Sequence, residues 1–184
     1  MAHEAALFFR QLLTKPKQVS AIAPSSRWLA RAMAAGLGPH SGRVVEFGPG
    51  TGVLTRGIRA AGVAARDLTL FEMSPDFAAH LHATMPGVTI HHARAQDAPK
   101  LIEPGVSAVI SGLPLLSMPV GLRVEIVQAA FDILAPEGVF VQFTYGPKPP
   151  LSPELMEQMH LRVSKGPKVW ANLPPAQVYH FRRA

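Results

Sequence analysis

The chain has 184 residues, 48% of them apolar and 16% charged, enough to bury a core in one domain and too apolar for a disordered segment. Cysteine is absent, which excludes a disulfide framework and thiolate chemistry and fits a reducing cytoplasm; no apolar run approaches the roughly 20 residues that span a bilayer. A net charge of +6, from 18 basic and 12 acidic residues, favours nucleic acid or an anionic membrane surface as partner and does not choose between them.

Residues 3–15 follow a helical period. Ala5, Ala6, Phe8, Phe9, Leu12 and Leu13 fall on one side, and His3, Glu4, Arg10, Gln11, Thr14 and Lys15 on the other, with Leu7 the exception. Such a helix can dock on its own domain. It can also lie in a membrane interface, with Phe8, Phe9, Leu12 and Leu13 in the apolar layer and Arg10 and Lys15 at the rim. Its basic residues follow the apolar stretch, the reverse of a secretory signal. Lys15-Pro16-Lys17 ends it. Gln18 to Pro24 leads to a second helix, from Ser25 or Ser26 as N-cap to Gly36 as stop. Trp28, Leu29, Ala32 and Met33 form its expected buried stripe, with Arg27 and Arg31 opposite.

Val44-Val45-Glu46-Phe47 reads as a buried strand running into Gly48-Pro49-Gly50-Thr51-Gly52, with a helix opening near Thr51. Glycines at alternate positions let the backbone take positive φ and let a ligand approach. That is how a nucleoside cofactor is held at the end of the first strand of an open α/β sheet. Glu46 stands two residues before the first glycine. A pyrophosphate wants no carboxylate there; a cofactor carrying an amino-acid ammonium does. Leu54 and Ile58 mark the inner face of the helix that ends near Gly62.

Leu68–Glu72 is the second strand, and Ser74-Pro75 caps a helix whose Phe77, Leu81 and Met85 recur every four residues. Strands follow at 88–91 and 106–110, the latter apolar enough for the middle of a parallel sheet. A long helix from Ser117 or Pro119 runs through Leu134, and Pro136-Glu137-Gly138 turns into a strand from Val139 to Thr144. After a proline-rich loop come a short helix from Pro153 and two strands, near 161–170 and 177–181. Alternating strands and helices predict a doubly wound, mostly parallel α/β sheet with right-handed crossovers. Residues 1–36 are expected to form helices over the active site and 37–184 the catalytic domain, in one structural unit.

Glu72 lies 20 positions beyond Gly52, where an acidic residue accepts from ribose hydroxyls in nucleoside-binding folds; Met73 beside it can face an adenine. The glycine loop resembles motif I of the class I S-adenosylmethionine-dependent methyltransferases. That resemblance implies a Rossmann-like seven-stranded sheet, S-adenosylmethionine as cofactor, and Glu46, Gly48, Gly50, Thr51, Glu72 and Met73 around it. Asp97 and Ala98, after the third strand, match the place where related enzymes hold the adenine amino group, although a lone aspartate in a loop can equally cap a helix. Ser111-Gly112-Leu113-Pro114-Leu115 follows the fourth strand. Methyltransferases acting on nucleobase amines carry Asn or Asp, then Pro-Pro-aromatic or Leu/Ile-Pro-Tyr there, and the aromatic stacks on the base. With Ser111-Gly112 where the amide is expected and Leu115, after Leu113-Pro114, in place of the aromatic, backbone carbonyls remain to accept from an amine and the base platform is lost.

Residues 17–26 (Lys-Gln-Val-Ser-Ala-Ile-Ala-Pro-Ser-Ser), together with the glycine loop and Ser111–Pro114, make the whole chain similar to the small bacterial phospholipid N-methyltransferases, themselves similar to ribosomal RNA adenine dimethylases. The resemblance implies methylation of phosphatidylethanolamine and its mono- and dimethyl derivatives to phosphatidylcholine. It also implies a monomer held peripherally on the inner face of the cell membrane by its amino-terminal helix, without nucleic acid.

The nucleophilic amine must be neutral and in line with the donor methyl, and its growing cation suits an aromatic face. Tyr145 is the first candidate for that face, then Tyr179 and Trp170; Ser111, Gly112 and Leu113 would position the amine. Lys17, Arg27, Arg31 and Lys148 are the cations available for a lipid phosphate. Gln18, Ser20 and Ser25 are expected to reach cofactor or headgroup. His91 and His92 are adjacent on a strand, point to opposite faces and cannot share one metal; no metal site is expected. The alternatives are an RNA adenine methyltransferase, favoured by the charge and disfavoured by Leu115, and a non-enzymatic membrane protein that only senses the cofactor.

Overall fold

The computed structural model describes residues 26–146 and 148–184. The expectations for Phe8, Phe9, Arg10, Leu12, Leu13, Lys15, Lys17, Gln18, Ser20 and Ser25 lie outside the described residues. Helix α1 (Arg27–Met33) is opened by Ser26, whose hydroxyl accepts from the Leu29 N–H. Strand β1 (Val44–Phe47) leads through the glycine loop to α2 (Val53–Ala60). Then come β2 (Leu68–Glu72), α3 (Pro75–Thr84), β3 (Thr89–His92) and α4 (Ala98–Leu101). They are followed by β4 (Val106–Ser111), α5 (Val120–Ile133), β5 (Leu134–Thr144), α6 (Pro153–Gln158), β6 (Leu161–Val169) and β7 (Ala176–Arg183).

The seven strands form one sheet in the order β3-β2-β1-β4-β5-β7-β6. The first five in the chain are parallel, while β7 runs antiparallel between β5 and β6. The winding reverses between β1 and β4, which opens a crevice at their carboxyl ends. One face of the sheet packs Phe47, Phe71, Phe140 and Phe181 against Ile126, Val127 and Ala130 of α5. The other packs Val44, Leu70, Ile110 and Val141 against Leu29 and Met33 of α1, Leu54 and Ile58 of α2 and Leu81 of α3. Burial of each large side chain contributes about 1.5–3 kcal/mol, so the two layers together hold the crevice walls in place. Helices α1 and α2 touch at Gly57, where a Cβ would stand 2.8 Å from the Ala30 Cβ and 2.9 Å from its carbonyl oxygen.

Three local expectations change. The buried arc of α1 is Leu29, Ala30 and Met33, and Trp28 is 47% exposed with the Arg27 guanidinium 5.0 Å from its ring centre. In a helix this short, the interhelical contact with Gly57 fixes the phase and turns Trp28 outward. The Pro136-Glu137-Gly138 segment does not separate a helix from a strand: α5 runs straight into β5, Leu134 pairs with Val106 and Val139 with Ala108, so residues 135–138 bulge out of one strand. The glycine-loop helix begins at Val53, later than Thr51, behind Gly52 in the left-handed region. Among the described residues no helix is long and apolar enough to cross a membrane.

Candidate active site

The site forms where the glycine loop, the end of β2 and the loop after β4 meet. Gly48 and Gly50 have φ of 68° and 55°, a region that L side chains rarely adopt. A Cβ on Gly48 would fall 2.5 Å from the Leu113 Cδ2, and one on Gly112 would fall 2.7 Å from the Gly48 oxygen. The two loops therefore close on each other through bare backbone. Main-chain bonds fix their heights: the Gly48 N–H donates to the Phe71 carbonyl at 2.9 Å, and the Gly112 N–H to the Phe47 carbonyl at 2.8 Å. A Cβ on Gly50 would meet nothing within 4 Å, so the loop turns an open backbone face toward the crevice.

Glu72 is buried and accepts two backbone bonds, from the Gly50 N–H to Oε2 at 3.0 Å and from the Ser74 N–H to Oε1 at 2.8 Å. Each oxygen keeps a second lone pair for a hydroxyl donor. Glu46 lies wholly buried beneath the loop on the α2 side. Its Oε2 accepts from the Thr55 hydroxyl at 2.7 Å, and its Oε1 has no partner among the described residues. Burial, with the nearby Glu72 charge adding to it, pushes the Glu46 carboxyl up to about 8 against the pull of the Thr55 hydrogen bond. The Glu72 carboxylate, the unpartnered Glu46 oxygen and an open glycine backbone suit a cofactor with ribose hydroxyls and a cationic amino-acid end.

Thr51 is exposed, Met73 is half-buried, and Ala98 is buried at the start of α4. Asp97 is bound by its neighbours, Arg94 Nε at 3.0 Å and Lys100 Nζ at 3.4 Å, and the Arg94 hydrogen bond and charge hold it below the usual carboxylate range. It makes no side-chain cap bond to α4. His91 stacks on Phe71 at 4.9 Å, while His92 Nε2 lies 3.1 Å from the Met73 carbonyl.

After β4, the Ser111 hydroxyl is buried and accepts from the Leu113 N–H at 3.3 Å. The Leu113 carbonyl already accepts from the Leu115 N–H at 2.9 Å and from Gln142 Nε2 at 3.0 Å. With two donors already on it, the Leu113 carbonyl is not free for an amine, which corrects the expectation that Leu113 helps to position one. Leu115 is turned into the core.

Tyr145 and Tyr179 are on opposite faces of the sheet. Tyr145 is half-buried, edge-on to Phe143 with centroids 5.3 Å apart; burial raises its hydroxyl and the Asn172 amide draws it back. Tyr179 is buried in the α5-side core, with no hydrogen-bond partner for its hydroxyl among the described residues. Facing a headgroup would require opening that core, so the expectation for Tyr179 is corrected. Trp170 is 71% exposed with Lys168 Nζ 3.9 Å from its ring centre, and is corrected from a crevice residue to a surface one. Arg27, Arg31 and Lys148 are exposed.

Gln142 escaped the sequence reading. It is in register with Ser111 on β4 and with Tyr179 on β7, and these three buried polar residues make a row beneath the Leu113 loop. The signal was a single amide inside the otherwise apolar run Val139–Phe143.

A seven-stranded sheet wound in this order, with a glycine loop after β1 and an acidic residue ending β2, defines a class I methyltransferase that uses S-adenosylmethionine. No family model matches the chain. An ornithine lipid N-methyltransferase of Singulisphaera acidiphila is 30% identical over 149 residues, covering 77% of this chain and 78% of that protein. The chain belongs to the family of lipid N-methyltransferases that this relative represents. Among solved structures, a 1,6-didemethyltoxoflavin N1-methyltransferase of Burkholderia thailandensis with S-adenosylhomocysteine superposes with a TM-score of 0.72 at 15% identity, covering 99% of this chain and 90% of that one. A glycopeptide N-methyltransferase complexed with S-adenosylmethionine gives 0.68 at 13% identity over 89% and 96%. These two share the fold.

Proposed function

We propose that the protein transfers methyl groups to the headgroup amine of phosphatidylethanolamine and its mono- and dimethyl derivatives, working at an anionic membrane surface. The observation that carries this reading is Leu115. In the position where base-methylating enzymes stack an aromatic, the chain puts an aliphatic side chain and buries it, so the amine need not sit on a flat ring. The lipid relative supports the same class of substrate.

When bound, S-adenosylmethionine supplies an electrophilic methyl group on a sulfonium centre. Gly48 and Gly50 would bring bare backbone against it, Glu72 would accept from its ribose hydroxyls, and the free Oε1 of Glu46 would face its ammonium end. Met73, Asp97 and Ala98 would lie along the adenine. For the primary and monomethyl amines the Gly112 carbonyl would accept from the N–H and aim the lone pair, with Ser111 setting the turn; the neutral dimethyl amine has no N–H to give and would be placed by the Tyr145 ring and the phosphate contacts alone. The amine must arrive neutral, since a carbonyl orients a proton and cannot take one. Tyr145 would present its ring to the methylated cation, and Arg27, Arg31 and Lys148 would pair with the lipid phosphate.

The named activity of the relative supports a second reading in the same class, with an ornithine lipid as acceptor. Vesicles containing either lipid, incubated with methyl-labelled S-adenosylmethionine, separate the two: label in phosphatidylethanolamine derivatives supports the first, and label confined to the ornithine lipid replaces it.

A further inference from the structure

Five of the six large apolar side chains that stand exposed among the described residues gather at the carboxyl end of the sheet: Trp28, Leu116, Val120, Trp170 and Leu173. Register explains why. Thr144, the last residue of β5, pairs with Gln177 near the start of β7, so the connection from β6 to β7 projects past the crevice. The Ser26 N–H donates to the buried Asn172 Oδ1 at 2.9 Å, tying the start of α1 to this connection. Leu116, in the turn after β4, and Val120, the first residue of α5, flank the crevice on the other side.

The connection itself presents Trp170 at 71% exposure and Leu173 at 84%, with Lys168 Nζ over the tryptophan. Arg27 and Arg31 stand exposed on α1. Neither residues 26–45 nor residues 161–184 contain an aspartate or glutamate. An exposed tryptophan and leucine at a loop tip, with Lys168 on the tryptophan, Arg27 beside the tied Ser26 and no acid in either segment, match the boundary between anionic headgroups and acyl chains. A nucleic acid would be served by the cations and gain nothing from Leu173.

We propose that the β6–β7 connection is a membrane wedge, inserting Trp170 and Leu173 into an anionic bilayer while Arg27, Arg31 and Lys168 pair with its phosphates, so that the crevice opens onto the lipid surface. This rests on the lipid-amine reading and extends it to a second contact, separate from residues 1–15.

The test uses the full chain and vesicles of phosphatidylglycerol and phosphatidylcholine, which contain no amine acceptor. With Trp28→Phe leaving Trp170 as the sole tryptophan, emission shifts to shorter wavelength on adding vesicles, and brominated lipid quenches it. Trp170→Ala with Leu173→Ser lowers vesicle affinity at least tenfold, with the melting temperature, S-adenosylmethionine affinity and methylation of a short-chain, monomeric amine lipid unchanged. Unaltered vesicle affinity in the double variant overturns the wedge, as does equal quenching by RNA. Emission already blue without vesicles shows that residues 1–25 cover the face and overturns it too. Vesicle binding with the expected losses but no methylation of any amine lipid supports the wedge and overturns the substrate reading instead.

Discussion

Glu46 and Glu72 are both carboxylates beneath the glycine loop, and their surroundings give them different tasks. Glu72 receives two backbone N–H groups and fixes the loop to the end of β2. Its replacement by Ala strands both donors and removes a ribose acceptor; at about 1.5 kcal/mol or more for a hydrogen bond to a charged group, S-adenosylmethionine affinity by calorimetry should fall at least tenfold. Glu46 is held by burial at about 8, against an ordinary 4.5. Between those values the native state keeps a proton that the unfolded chain has lost. Its contribution to stability is complete below the lower value and declines as pH rises through the higher one, by about 1.4 kcal/mol per unit for this group. The cofactor-free protein should therefore melt at progressively lower temperature from about pH 5 to about pH 8, and Glu46→Gln should flatten that curve. A flat wild-type curve would count against it. Gln142 acts through the Leu113 carbonyl, as a positioning residue. Gln142→Met removes its two donor bonds together with the buried unpaired Oε1, so stability should change little while kcat falls about tenfold, with the cofactor KM preserved.

Element by element, the helices and strands set how closely the parts of the site can approach. Gly57 is where α2 meets α1, and Gly57→Ala drives a methyl into Ala30. Overpacking of this kind costs about 1–3 kcal/mol, and thermal melts should show the loss, whereas the equally helical but exposed Ala60 should tolerate Ser. Strands β1, β2 and β4 were legible because their apolar runs end at Gly48, Glu72 and Gly112, and β2 matches its expected range. What escaped was decided by contacts between elements. The turn chemistry of Pro136-Glu137-Gly138 was read correctly, but pairing of Leu134 with Val106 absorbs it into β5 as a bulge. Tyr179 looked available because β7 is covered on both faces near its middle, so alternation gave no inward side. Gln142 acquired its meaning from register with Ser111 and Tyr179, which no local pattern encodes. Trp28 was assigned inward from helical spacing, and the Gly57 contact rotated it outward.

At the scale of the whole molecule, charge and shape converge on one end. The crevice, five of the six large exposed apolar side chains and the cations Arg27 and Lys168 lie at the carboxyl ends of the strands, where the proposed lipid substrate would be met. The charge alone admitted RNA, and Leu115 in the core, with a lipid-acting relative, turns the balance toward a headgroup amine. The most direct measurement is incubation of the protein with methyl-labelled S-adenosylmethionine and anionic vesicles containing phosphatidylethanolamine, followed by separation of the lipids. The account predicts label in mono-, di- and trimethylated headgroups, dependent on Glu72; unlabelled lipid from a protein that still binds its cofactor would contradict it.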